Sequence, residues 1–166
     1  MIDRHDPLAH AIQAELEDDL AHGAKLMLPR YRPLALAEQI LDGYCAVGAA
    51  AYFFIGGGLA AGLQPMQLTL GGSGHWWIAK RGALQVVDLI LRRNESPGRY
   101  PYERGRPRGF MQTGYKRPSK RAAELIRRVE RARSARSGPH SASATPGWAA
   151  RPRHSPRRSP IVPVER

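Results

Sequence analysis

The eleven residues CAVGAAAYFFI, positions 45–55, constrain the fold more than any other stretch of the chain. The run is apolar almost throughout, is long for a buried strand, and its alanines favour helix. It predicts a central buried helix with Cys45 in its first turn. A helix that is apolar all round needs other elements about it, and the flanking sequence offers them. DPLAHAIQAELEDDLAHG predicts a first helix, with Asp6 as N-cap, Pro7 at the first helical position and Gly23 at the C-terminal end. Leu8, Ile12, Leu16 and Leu20 recur on one of its faces. PLALAEQILDG predicts a second, opened by Pro33 and stopped by Gly43, with Ala37, Ile40 and Leu41 inward. SKRAAELIRRVERAR predicts a last one, in which Ala122, Leu125, Ile126 and Val129 form the apolar stripe and arginines the other face.

After the break GGGLAAGLQP, strands are expected over MQLTL (66–70), HWWIAK (75–80) and ALQVVDLI (83–90), the last two as a hairpin around Arg81-Gly82. Alternation along the middle strand expects one of Trp76 and Trp77 in the core and the other freer. Residues 92–116, rich in Gly, Pro, Arg and Tyr, read as a long irregular segment of the kind that is functional or wraps a surface. The fold class is therefore α+β: helices around a small antiparallel sheet over residues 5–133. A basic tail of Ser, Pro, Ala and Arg, residues 134–166, is expected to be disordered.

No stretch approaches the ~18–20 apolar residues of a membrane span, and MIDRHDPLAH does not read as a signal peptide. A single cysteine makes no internal disulfide. The expectation is a cytoplasmic protein with no membrane partner. Its charge of +12 is uneven: residues 80–133 hold sixteen basic against five acidic side chains, whereas residues 1–30 carry a balance of −3. Such a block suits nucleic acid or an acidic partner. A non-enzymatic basic binding protein is accordingly one reading of the chain, with binding that weakens steeply in salt.

The other reading is an enzyme. A cysteine acts as nucleophile when it is a thiolate, and a helix N-terminus or a neighbouring imidazolium stabilises that anion. Cys45 follows Gly43-Tyr44 at a sharp entry into its helix, where unpaired backbone N–H groups could also stabilise an oxyanion. If Arg81 and Gly82 alone form the hairpin loop, Lys80 pairs with Ala83, Trp77 with Val86 and His75 with Asp88. That last pair is non-hydrogen-bonded, with Cβ atoms roughly 4.5–5.5 Å apart. A carboxylate so placed fixes the imidazole tautomer and stabilises the imidazolium. A loop of one further residue would shift the pairing and part the two. Cys45, His75 and Asp88 together supply nucleophile, general base and orienting acid from successive elements.

Gly43-Tyr44-Cys45 opening a helix, Gly74-His75-Trp76-Trp77 and Val86-Val87-Asp88-Leu89 resemble the core of transglutaminase-like and papain-like cysteine enzymes. More closely, the chain is similar over residues 40–130 to small bacterial and phage proteins with Gly-His-Cys, His-Trp-Trp and Asp-Leu-Thr segments. Their Pro-Tyr, Gly-Arg-Gly-Phe and Pro-Ser-Lys-Arg-Ala runs are matched by PYERGRPRGF and RPSKRAAELIRRV. The resemblance implies Cys45 as nucleophile, His75 as base and Asp88 as orienter. It also implies acyl transfer on a protein or peptide amide, as peptidase, deamidase or transglutaminase. Tyr44 stands where that pattern has histidine, and Ile90 where it has threonine. Gln39, six residues before Cys45, is at the separation of a papain-like oxyanion-hole glutamine but reads as a surface residue. GGGLAAG lacks the helix and the acidic residue of a dinucleotide site, and the six histidines show no paired ligand spacing. No cofactor and no metal are expected.

Overall fold

The structure, a computed structural model, describes residues 6–82, 85–91, 100–111 and 113–136. Its helices are α1 (Pro7–Ala21), α2 (Arg32–Glu38), α3 (Cys45–Ile55) and α4 (Lys120–Arg136). Its strands are β1 (Leu63–Leu70), β2 (Ser73–Lys80), β3 (Val86–Val87) and β4 (Arg106–Pro107). They form one sheet in the order β3-β2-β1-β4, with antiparallel neighbours. The expected α+β class and small antiparallel sheet are what the chain adopts. Among the described residues no helix is long and apolar enough to cross a membrane.

The apolar run at 45–55 does form the central helix. α3 packs on β1 and β2 through one side and on α1 and α4 through the other, and Ala49, Ala50, Ala51 and Phe53 are buried. Gly48 permits a close crossing, since a Cβ there would meet Leu89 at 3.2 Å and Leu16 at 3.3 Å. In α1 the Asp6 side chain accepts from the N–H groups of Leu8 and Ala9, the cap expected from sequence, and Ile12, Leu16 and Leu20 enter the core. Ala122, Leu125 and Val129 of α4 do the same, while Ile126 packs at the core's margin.

Several boundaries differ from expectation. α2 ends at Glu38 rather than at Gly43, because Gln39 takes a left-handed conformation (φ 52°) and stops it. α4 continues three residues past 133, so the segment expected to be disordered begins as helix; residues 137–166 lie outside the described residues. The third strand is short. Its pairing places Ile78 opposite Val87 and Ala79 opposite Val86, and the Lys80 N–H donates to the Gln85 carbonyl. Residues 81–84 thus separate Lys80 from its partner Gln85, two more than expected. The register is displaced by two from the one that pairs His75 directly with Asp88. A shift of one would have turned Asp88 to the other face, but a shift of two preserves its parity.

Candidate functional site

Alternation along β2 turns Trp76 and Ile78 into the α3-facing core and His75 and Trp77 to the other side of the sheet. There Tyr100 stacks on the His75 ring, with centroids 3.7 Å apart and planes 11° from parallel. Tyr102 meets Trp77 edge-on. Both tryptophans are consequently buried, at 3% and 1% exposure, whereas alternation alone expects one to be freer. The tyrosine segment that follows the hairpin supplies the second cover.

Under this cover His75 and Asp88 meet. The His75 Nε2 to Asp88 Oδ2 distance is 2.7 Å, and Asp88 is fully buried. The Tyr102 hydroxyl donates to the same oxygen at 2.7 Å, and the Ile90 N–H donates to Oδ1 at 3.2 Å. Three donors converge on one carboxyl group, which acts as acceptor to each. Nε2 is therefore the donor to Asp88, and in the neutral ring Nδ1 is the lone-pair nitrogen, the tautomer a general base requires. The Ile90 contact uses only its backbone, so the departure from threonine leaves that bond intact.

Asp88 is held from a distance as well. Gln13 of α1 donates from Nε2 to the carbonyls of Leu89 (3.2 Å) and Leu91 (2.9 Å), fixing the chain just after it. Neither Gln13 nor Tyr102 is marked as a site residue by the sequence. A lone glutamine on an amphipathic helix resembles any surface residue, whereas Tyr102 lies in the PYERGRPRGF run, which stands out in the sequence without a role.

Cys45 begins α3, buried at 8% exposure. Its Sγ is 3.6 Å from the Gly74 carbonyl, and the N–H groups of Trp76 and Ala46 also act on it. The sulfur thus touches the backbone on either side of His75, with the imidazole not among its hydrogen-bond partners. Burial pushes the thiol up from its ordinary 9.0 to about 11, against the pull of the Trp76 and Ala46 N–H groups and with the Asp88 charge adding to the rise. The lowered pKa expected at a helix N-terminus is not realised, because loss of water outweighs the N–H groups.

Tyr44 is tied into the helical layer. Fully buried, its hydroxyl donates to Asp19 Oδ2 at 2.7 Å, and burial with that carboxylate beside it raises its pKa far above the phenolic range. Asp19 also accepts from the Leu26 N–H and from Arg128 of α4. This network ties the turn that presents Cys45 to α1 and α4. Gln39 is exposed, its amide donating to the Leu36 carbonyl.

Cys45 and His75 both line a cleft of about 480 Å³. Leu28, Tyr31, Leu34 and Met111 give it an apolar wall; Gln67, Thr69 and Ser73 give it a polar one. Among the described residues no group of three His, Cys, Asp or Glu side chains could hold a metal ion. Compared with known proteins, the chain matches no family model, no curated protein and no solved structure.

Proposed function

We propose that the protein is a thiol-dependent acyl-transfer enzyme acting on an amide or related acyl group, with Cys45, His75 and Asp88 as its catalytic residues. The observation that carries this reading is the buried His75–Asp88 hydrogen bond beside the Cys45 cleft, with the tautomer fixed and Tyr102 and Tyr100 excluding water. A histidine merely satisfied in a core has no need of a carboxylate with two further donors. Nor does it need to open on a cleft shared with the chain's single cysteine.

In this mechanism the resting thiol is neutral and donates to the Gly74 carbonyl. Attack requires the thiol to exchange that carbonyl for Nδ1 of His75, which takes the proton as the S–C bond forms. Asp88 stabilises the resulting imidazolium, and unpaired backbone N–H groups at the start of α3 would stabilise the developing oxyanion. His75 then returns the proton to the leaving amine, and water or a second amine releases the acyl group. The apolar wall of the cleft suits a side chain of a peptide substrate.

Acylation by p-nitrophenyl acetate tests the reading. Wild type should release nitrophenolate and gain an acetyl group on Cys45, seen by peptide mass. His75→Ala should acylate about 10²–10⁴-fold more slowly, the usual worth of a general base. Equal rates for the two proteins, or acetylation elsewhere than Cys45, would end the proposal.

A further inference from the structure

Three arginines cluster at the sheet's edge: Arg104 ends the short 3-10 turn Tyr102–Arg104, Arg106 opens β4, and Arg108 follows it. β4 runs antiparallel to β1 with Arg106 opposite Gln67, so Arg106 shares the face of Gln67 and Thr69. The intervening Gly105 packs on the Trp77 ring on the other face, where a Cβ has no room. Arg104, Arg106 and Arg108 line a depression of about 480 Å³ together with Gln67 and Thr69. Those two residues also line the Cys45 cleft. The two hollows share a wall.

On α4 part of the basic charge is offset by Glu124. Glu124 pairs with Arg127 and Arg128 and lies 3.9 Å from Arg131. Among the described residues no ion pair engages Arg104 or Arg106. Arg108 spends one donor on the Gln67 Oε1, at 2.8 Å. That bond fixes the amide, whose Nε2 lies over Gly74 and would stand 2.7 Å from a Cβ there. Gln67 therefore links the arginines to the strand end where the thiol lies.

We infer that this depression is a subsite for the side-chain carboxylate of an acidic peptide substrate, bound by Arg104 and Arg106 while its acyl carbon reaches Cys45. The inference rests on the acyl-transfer reading above. Planar guanidinium forks match a carboxylate in bidentate fashion. A concave site of this size beside a cleft suits one compact anion better than the extended phosphate track of a nucleic acid.

Two alkylating probes test it on the full chain: iodoacetyl-glycyl-glutamate amide and iodoacetyl-glycyl-glutamine amide, read as the ratio of their rates at Cys45. A general change in thiol reactivity cancels in that ratio. Wild type should favour the acidic probe by about five- to tenfold at low salt, and the preference should collapse toward unity in 1 M KCl. Arg104→Gln with Arg106→Gln should abolish it, and the lysine pair should restore part of it. Equal rates in wild type, a ratio that salt leaves unchanged, or a ratio that survives the glutamine pair would overturn the subsite. So would stronger protection of Cys45 by a short oligonucleotide than by a glutamyl peptide, which would assign the arginines to phosphate. Alkylation needs no general base, so a silent His75→Ala in the acylation assay would remove the enzyme reading and leave the probe ratio standing.

Discussion

At Cys45 two influences oppose each other: the Trp76 and Ala46 N–H groups favour the thiolate, and burial disfavours it more strongly. The consequence extends to stability. A folded-state pKa of about 11 against an ordinary 9.0 means that the unfolded chain loses this proton first as pH rises. The stabilising contribution is fully present below pH 9 and is lost as pH climbs through 11. Tyr44, also raised, acts in the same direction from its ordinary 10.0 upward. Urea unfolding of wild type and Cys45→Ala at a series of pH values isolates the thiol. From about pH 8 to about pH 11 wild type should lose about 2 kcal/mol more than the variant. Parallel curves would mean that the thiol titrates normally and that burial does not govern it. Residue-scale geometry also explains why a neutral thiol suits the proposed chemistry. With Nε2 donating to Asp88, the neutral His75 ring would offer Nδ1 to the thiol, so that deprotonation accompanies attack rather than precedes it.

Among the elements, the start of α1 has the densest set of anchors. Asp6 caps the helix, accepts from the Tyr52 hydroxyl of α3 and pairs with Lys80 of β2 at 3.3 Å. Burial alone would raise its carboxyl. The Tyr52 hydroxyl, the Ala9 N–H and Lys80 outweigh that effect and hold it below its ordinary 3.8. Its contribution is therefore present above pH 3.8 and lost as pH falls through the lower folded value. Asp6→Ala should cost about 2–3 kcal/mol at neutral pH, combining a lost cap with the lost Tyr52 hydrogen bond and Lys80 ion pair. The difference from wild type should shrink in acid, and a pH-independent difference in urea midpoints would refute the assignment. The cap was legible because Asp-Pro ahead of a four-residue apolar repeat has few other uses. The tertiary partners were not, for Tyr52 and Lys80 stand 46 and 74 residues away. The same division holds at the site. Cys45 at a helix start and His75 with Asp88 on one face could be read locally, since parity survives any even change of loop length. The register itself could not, because Arg-Gly carries no strong turn preference and four residues, not two, separate Lys80 from Gln85. Tyr100, Tyr102 and Gln13 reach the site from distant segments, and no local pattern predicts that.

Across the described residues, α4 closes on the turn that presents Cys45, the proposed nucleophile. Arg128 lies 109 residues from Asp19 in sequence, and its Nη1 is 3.1 Å from the Asp19 Oδ1. The other oxygen of Asp19 holds Tyr44, the residue before Cys45, and the Leu26 N–H. Asp19 is 1% exposed, so loss of Arg128 leaves a buried carboxylate without its only cation among the described residues. Removing one member of such a pair is costly, on the order of 3 kcal/mol, mostly through the charge left behind. Arg128→Ala should therefore lower stability by about that amount, and Asp19→Asn in the same chain should recover part of it, because the amide needs no counter-ion. The two changes together should show a coupling of roughly 1–3 kcal/mol in a double-mutant cycle. Such a coupling also bears on chemistry, since a turn loosened at Tyr44 no longer fixes Cys45 against Gly74. The Arg128→Ala protein should accordingly alkylate faster with neutral iodoacetamide, its thiol better hydrated, while acylating more slowly with p-nitrophenyl acetate. If both rates moved together, the helix would be serving stability alone, with no part in placing the sulfur.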